Sequence, residues 1–94
     1  MKGLPSIELL ESVHTFPGRY MFKAFGENSQ QLVDAARDAA AFVTGSTEKV
    51  ELSYRPSAKG NHACVTLDVL VESALQVQQI YLELFAIPQV RLLL

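Results

Sequence analysis

The chain has a single cysteine, Cys64, in 94 residues. One thiol excludes an intrachain disulfide framework and any metal site built only from cysteines. It also fits a reducing compartment. No stretch approaches the roughly 20 consecutive apolar residues that a membrane-spanning helix requires. Pro5, Glu8 and Glu11 break the apolar positions at the N-terminus, so these do not read as a secretory signal, and the cytosol is the expected location. Positive charge is in short supply. Eight lysines and arginines stand against 10 aspartates and glutamates, a formal charge of −2. Non-specific nucleic-acid binding rests on clustered cations, so this balance disfavours it. No repeat, low-complexity tract or linker divides the sequence.

What is present suits one soluble domain. The hydrophobic fraction is 49% and the charged fraction 19%, ordinary values for a globular protein with one core. Residues 1–18 read as an N-terminal appendage, with Ile7 to Glu11 forming a helical turn or two. Residues 19–94 read as a single domain. Tyr20, Phe22 and Ala24 alternate with Met21, Lys23 and Phe25, as on a strand. Asn28 and Gln31 have capping-box spacing. Leu32, Ala36, Ala39 and Val43 follow at helical spacing, with Gly45 as the stop. Val50, Leu52 and Tyr54 alternate with Glu51, Ser53 and Arg55. Pro56 to Gly60 is turn chemistry, so a hairpin is expected. Ala63, Val65, Leu67 and Val69 then alternate with His62, Cys64, Thr66 and Asp68. Ser73 and Gln76 form a second capping box, ahead of Val77, Ile80, Tyr81 and Leu84 at helical spacing. Pro88 blocks continuation, and Val90 to Leu94 closes as a strand.

The order β-α-β-β-α-β, with right-handed crossovers, predicts an α+β, ferredoxin-like split sheet of strand order 4-1-3-2 with both helices on one face. The strand residues expected beneath the helices are Tyr20, Phe22, Ala24, Val50, Leu52, Tyr54, Val65, Leu67, Val69, Val90 and Leu92. The opposite face carries Met21, Lys23, Phe25, Cys64, Leu70, Arg91 and Leu93. This mixture of apolar and charged residues is a candidate interaction surface.

Three stretches carry a resemblance to a known family. They are Tyr20-Met-Phe-Lys-Ala-Phe-Gly26, the segment Arg55-Pro-Ser-Ala-Lys-Gly-Asn-His62 with its following strand, and the ending Val90-Arg-Leu-Leu-Leu94. Together they resemble the bacterial YbeD-like family over about residues 16–94. His62 stands where members often carry an aromatic. The resemblance implies an α+β fold similar to regulatory ACT domains. It implies no established activity and no assigned catalytic residues. It also implies a genomic context near lipoate attachment, hence lipoate metabolism as a setting.

The hairpin at residues 55–62 is the most distinctive local feature. Arg55, Ser57, Lys59, Gly60, Asn61 and His62 could hold an anion in a concavity of backbone N–H groups. The competing reading is a solvated hairpin tip, in which Gly60 supplies a positive φ. No P-loop pattern occurs. His62 and Cys64 share a strand face, but a third ligand, Asp68, stands about 13 Å along the strand, too far for a zinc site. A Cys64–His62 nucleophilic pair lacks an orienting group. Asp34 and Asp38 suit the solvated face of a helix. Acylphosphatases share the element order, but the junction at Gly26-Glu27-Asn28 lacks their phosphate-cradling cation. RNA-recognition domains place stacking aromatics on the open face, and only Phe25 and His62 stand there.

The expectation is therefore a non-catalytic regulatory or protein-interaction module, with no cofactor and no metal. It would act through the open sheet face or a sheet edge, with a protein partner or a second copy of itself. The second reading is a small-metabolite or anion sensor using the 55–62 hairpin, in the manner of ACT domains. RNA binding ranks below both.

Overall fold

Alternation along the central strands builds the core. The computed structural model describes residues 3–94. In chain order it contains α1 (Ile7–Val13), β1 (Gly18–Glu27), α2 (Gln30–Thr44), a 3-10 turn (Thr47–Lys49), β2 (Val50–Pro56), β3 (His62–Val71), α3 (Ala74–Phe85) and β4 (Val90–Leu93). The strands form one open antiparallel sheet in the order β2-β3-β1-β4. This matches the strand order expected from the sequence.

β3 sits inside the sheet, and its alternate residues Ala63, Val65, Leu67, Val69 and Val71 are buried. Phe22 and Ala24 of β1 join them on that face. Leu32, Ala36 and Ala40 of α2 and Val77, Ile80 and Leu84 of α3 cover them. Small alanines let α2 approach both the sheet and α3 closely. Each large side chain in this layer contributes about 1.5–3 kcal/mol on full burial. Tyr20, Phe22 and Tyr81 pack at ring separations of 4.8 Å (Tyr20–Phe22) and 4.9 Å (Phe22–Tyr81). The hydroxyls of Tyr20 and Tyr81 lie 3.1 Å apart, so each phenol has a polar partner.

Several local readings change. Ser29, not Asn28, caps α2: its hydroxyl accepts from the Leu32 N–H at 3.2 Å. Gly45 ends that helix with φ of 84°, as expected. Ser73 caps α3, but Gln76 Oε1 accepts from the Glu72 N–H at 2.8 Å rather than from the cap itself. Residues 1–18 include α1, which packs against α3 and sends Leu10, 2% exposed, into the same core as the sheet.

β4 departs most from expectation. Its register against β1 shifts between Phe25 and Gly26, where Gly26 pairs with Val90 and Phe25 with Leu92. The extra residue, Arg91, is a bulge. Beyond it the two sides of the strand are exchanged. Leu93 pairs with Ala24 and packs against the core, while Leu92 is 55% exposed on the open side. Strict alternation predicts the reverse for these two leucines. No helix among the described residues is long and apolar enough to cross a membrane.

Candidate functional site

The face of the sheet opposite α2 and α3 is organised in cross-strand rows, because paired residues on neighbouring strands share a face. One row runs Arg55, Cys64, Phe25, Leu92, one residue from each strand. The next is Ser53, Thr66, Lys23, with Lys23 Nζ donating to Thr66 Oγ1 at 3.4 Å. The third is Glu51, Asp68, Met21. Arg19 binds over it, 2.9 Å from Asp68 Oδ1 and 3.7 Å from Glu51. Leu70 lies opposite Arg19.

This arrangement divides the expected interaction surface. Phe25 and Cys64 adjoin in the first row, whereas Met21 and Leu70 lie beyond the polar row of Lys23. Leu93 is on the helix side, and Leu92 takes its place. The open face is therefore a mosaic with a separate apolar spot at one end.

At that end the sheet forms a hollow of about 260 Å³. Phe25, Cys64 and Pro56 provide carbon and sulfur, and the walls are almost wholly apolar. Arg55, Arg91, Ser57 and His62 complete the lining. Arg91 is held 3.1 Å from Glu27. Arg55 has neither an ion-pair nor a side-chain hydrogen-bond partner among the described residues. Arg91 keeps the open side that alternation gives it, and the bulge sets Leu92 beside it there in place of Leu93. Gly26 makes the bulge compatible with the sheet: a methyl group there would run into the Gln89 carbonyl oxygen.

The hairpin tip is closed by its own backbone hydrogen bonds. Gly60 has φ of 78°, as its turn requires. The Gly60 N–H donates to the Ser57 carbonyl at 2.9 Å and the Ser57 N–H to the His62 carbonyl at 2.8 Å. The His62 N–H donates to Ser57 Oγ at 3.3 Å. These amides close the turn on itself. Lys59, Gly60 and Asn61 lie at the tip, outside the hollow's lining, whereas Arg55, Ser57 and His62 line it.

Asn28 fastens this tip to the rest of the molecule. Its side-chain amide donates to the Gly60 carbonyl at 2.7 Å, and its backbone N–H donates to the Asn61 carbonyl at 3.1 Å. Tyr54 Oη donates to Asn28 Oδ1. The hairpin is thus tied to the junction of β1 and α2, and residues 55–57 and 62–64 are held beside Phe25. Sequence reasoning assigned Asn28 to a helix cap and missed this role. A cap and a long-range latch use the same residue type, so no sequence signal separated them.

Cys64 Sγ lies 3.9 Å from Thr66 Oγ1, and no hydrogen bond links it to His62. Among the described residues no group of three or more His, Cys, Asp or Glu side chains is placed to hold a metal ion.

Comparison with known proteins gives a consistent picture. A family model described as a protein of unknown function (DUF493) matches residues 11–94. A UPF0250 protein of Haemophilus ducreyi is 32% identical over 96 aligned residues, covering 100% of this chain and 94% of that protein.

Proposed function

The chain belongs to the DUF493 family, of the YbeD-like kind, and from that premise we propose that it is a small non-catalytic interaction module of ferredoxin-like, ACT-like architecture, which assembles by pairing β4 with β4 of a second copy.

The observation that carries this reading is the contrast between the two sheet edges. Free edges template further strands unless charge, proline or a covering element blocks them. β2 carries Glu51 and Arg55 and ends in Pro56. β4 has one charged residue, Arg91, already engaged by Glu27. Leu94 exchanges both backbone hydrogen bonds with Lys23, at 2.8 and 2.9 Å. By the alternation of an antiparallel ladder, the N–H and C=O of Leu93 then face outward. Exposed apolar side chains line this edge: Leu92, Leu94 and, on α3, Leu82 and Phe85. A depression of about 330 Å³ runs between Phe85 and Leu92.

The apolar character of this edge supports a second copy of the chain as its partner. Antiparallel pairing about Leu92 would set Leu93 of each copy, with its outward groups, opposite Arg91 of the other and bring the two Leu92 side chains together. It would continue the sheet to eight strands and bring both copies of Phe85 to the joint. Such an interface is isologous, so one patch serves both partners. The non-catalytic reading is supported by the hollow, whose described lining holds no carboxylate and whose thiol is hydrogen-bonded to Thr66 and not to His62.

Sedimentation equilibrium tests the assembly. The expected mass is twice the 10.4 kDa of one chain. Leu92→Lys should return it to a single chain, while Ser53→Lys on β2 should leave the dimer intact. A monomer at millimolar concentration would refute the pairing.

A further inference from the structure

We propose that the hollow bordered by Phe25, Cys64, Arg55 and Arg91 is a binding site for a small organic carboxylate, one carboxyl group carried on an apolar body. The inference does not depend on the pairing of β4.

Two features of the hollow define its ligand. First, its walls are almost wholly apolar, with Phe25 and Cys64 adjacent across β1 and β3 and Pro56 closing the β2 side. Such a surface favours a carbon body that leaves water with it. At about 260 Å³ it lies below the roughly 300–1,000 Å³ typical of drug-sized sites, so the body is small. Second, the charge bordering the hollow is of one predominant sign. Arg55 and Arg91 border it from opposite edge strands, with His62 between them in the sheet order. Glu27 engages Arg91 alone, and Arg55 has no acidic partner within 4 Å among the described residues. A guanidinium offers two parallel N–H groups that match the two oxygens of a carboxylate.

The same features disfavour a phosphate. A dianion would exchange a full hydration shell for walls with few donors, and an apolar site repays that loss poorly. The backbone amides of Ser57 and His62, the hairpin residues that line the hollow beside Arg55 and Pro56, do not compensate, because both are spent closing the turn. The Asn28 latch matters here as well. By tying Gly60 and Asn61 to the β1–α2 junction, it holds Arg55 and Pro56 at a set distance from Phe25 before any ligand arrives, and preorganisation of this kind favours binding.

Three probes separate the elements of the proposal: benzoate, its neutral counterpart benzamide, and acetate, which keeps the charge and lacks the body. Amide NMR titration of the full chain should give saturable shifts with benzoate at Phe25, Gly26, His62 and Cys64. Benzamide and acetate should each bind at least tenfold more weakly. Arg55→Met should raise the half-saturation concentration for benzoate about tenfold. Lys59→Met, at the hairpin tip, should leave it unchanged. Cys64 supplies a second readout: benzoate should slow its alkylation by iodoacetamide, and benzamide should not. The proposal fails if benzoate gives no saturable shift, if acetate or inorganic phosphate matches benzoate, or if Arg55→Met binds benzoate as the parent chain does. The spectra themselves report whether each variant is folded.

Discussion

The side-chain amide of Asn28 donates a 2.7 Å hydrogen bond to the carbonyl of Gly60, joining the start of α2 to the far tip of the β2–β3 hairpin. The two residues are 32 positions apart in sequence. Their contact decides where the hairpin stands relative to the open face, and therefore the shape of the hollow beside Phe25.

Asn28→Asp keeps an oxygen for Tyr54 but loses the donor to Gly60. It should lower stability by about 1 kcal/mol, the usual net worth of a hydrogen bond at a partly exposed site. Urea denaturation measures that loss. Hydrogen exchange should quicken at Gly60 and His62, while amides in the middle of β3 stay protected. Uniform loss of protection across β3 would mean that the contact holds the whole sheet rather than the tip.

Gly26→Ala should be more severe, because the added methyl meets the Gln89 backbone and not a yielding side chain. The expected cost is about 2–3 kcal/mol, in the range of overpacking. Its signature is local: the Glu27 amide, bonded to the Gln89 carbonyl, should lose protection first. A variant as stable as the parent chain would show that β4 can retreat without penalty.

Leu10→Ala tests how far α1 belongs to the core. Leu10 is 2% exposed among residues of the shared cluster. Truncating such a leucine typically costs about 2–5 kcal/mol. Chemical denaturation should show one cooperative transition at lower urea. A change below about 0.5 kcal/mol, the level of ordinary surface substitutions, would mean that the helix lies on the domain without supporting it.

Alkaline stability reports on Tyr81. Burial, reinforced by its contact with Tyr20, pushes its phenol well above the ordinary tyrosine value. The folded chain then holds a proton that the unfolded chain releases above about pH 10. Stability is complete below that pH and falls as pH rises further, because the native state binds more protons than the unfolded one. Tyr81→Phe should flatten this decline. Equal slopes for parent and variant, by urea midpoints from pH 9 to 11, would contradict the assignment.

The legible parts of the fold were those written in short-range patterns. Alternation along residues 62–71 marked β3, and its apolar members are the centre of the core. The alanine-rich stripe marked α2, and Gly45 marked its end. The strand order followed from element order and the handedness of crossovers. The hollow was partly legible: Arg55, Ser57, His62, Phe25, Cys64 and Arg91 were all singled out, though as two separate features. Nothing local joined them, because the hairpin and the open face meet only when β2, β3 and β1 lie side by side.

Periodicity determined which segments became strands and helices, since each must bury one apolar side and the spacing records which side. It could not determine the face of Leu92 and Leu93. Their sides depend on a bulge that forms where Gly26 lets another strand approach, an event of pairing between positions more than sixty residues apart. It could not give Asn28 its partner either, because an amide side chain answers to whichever carbonyl folding brings within 3 Å. Contacts made across the sheet, rather than along the chain, placed two arginines beside one apolar hollow.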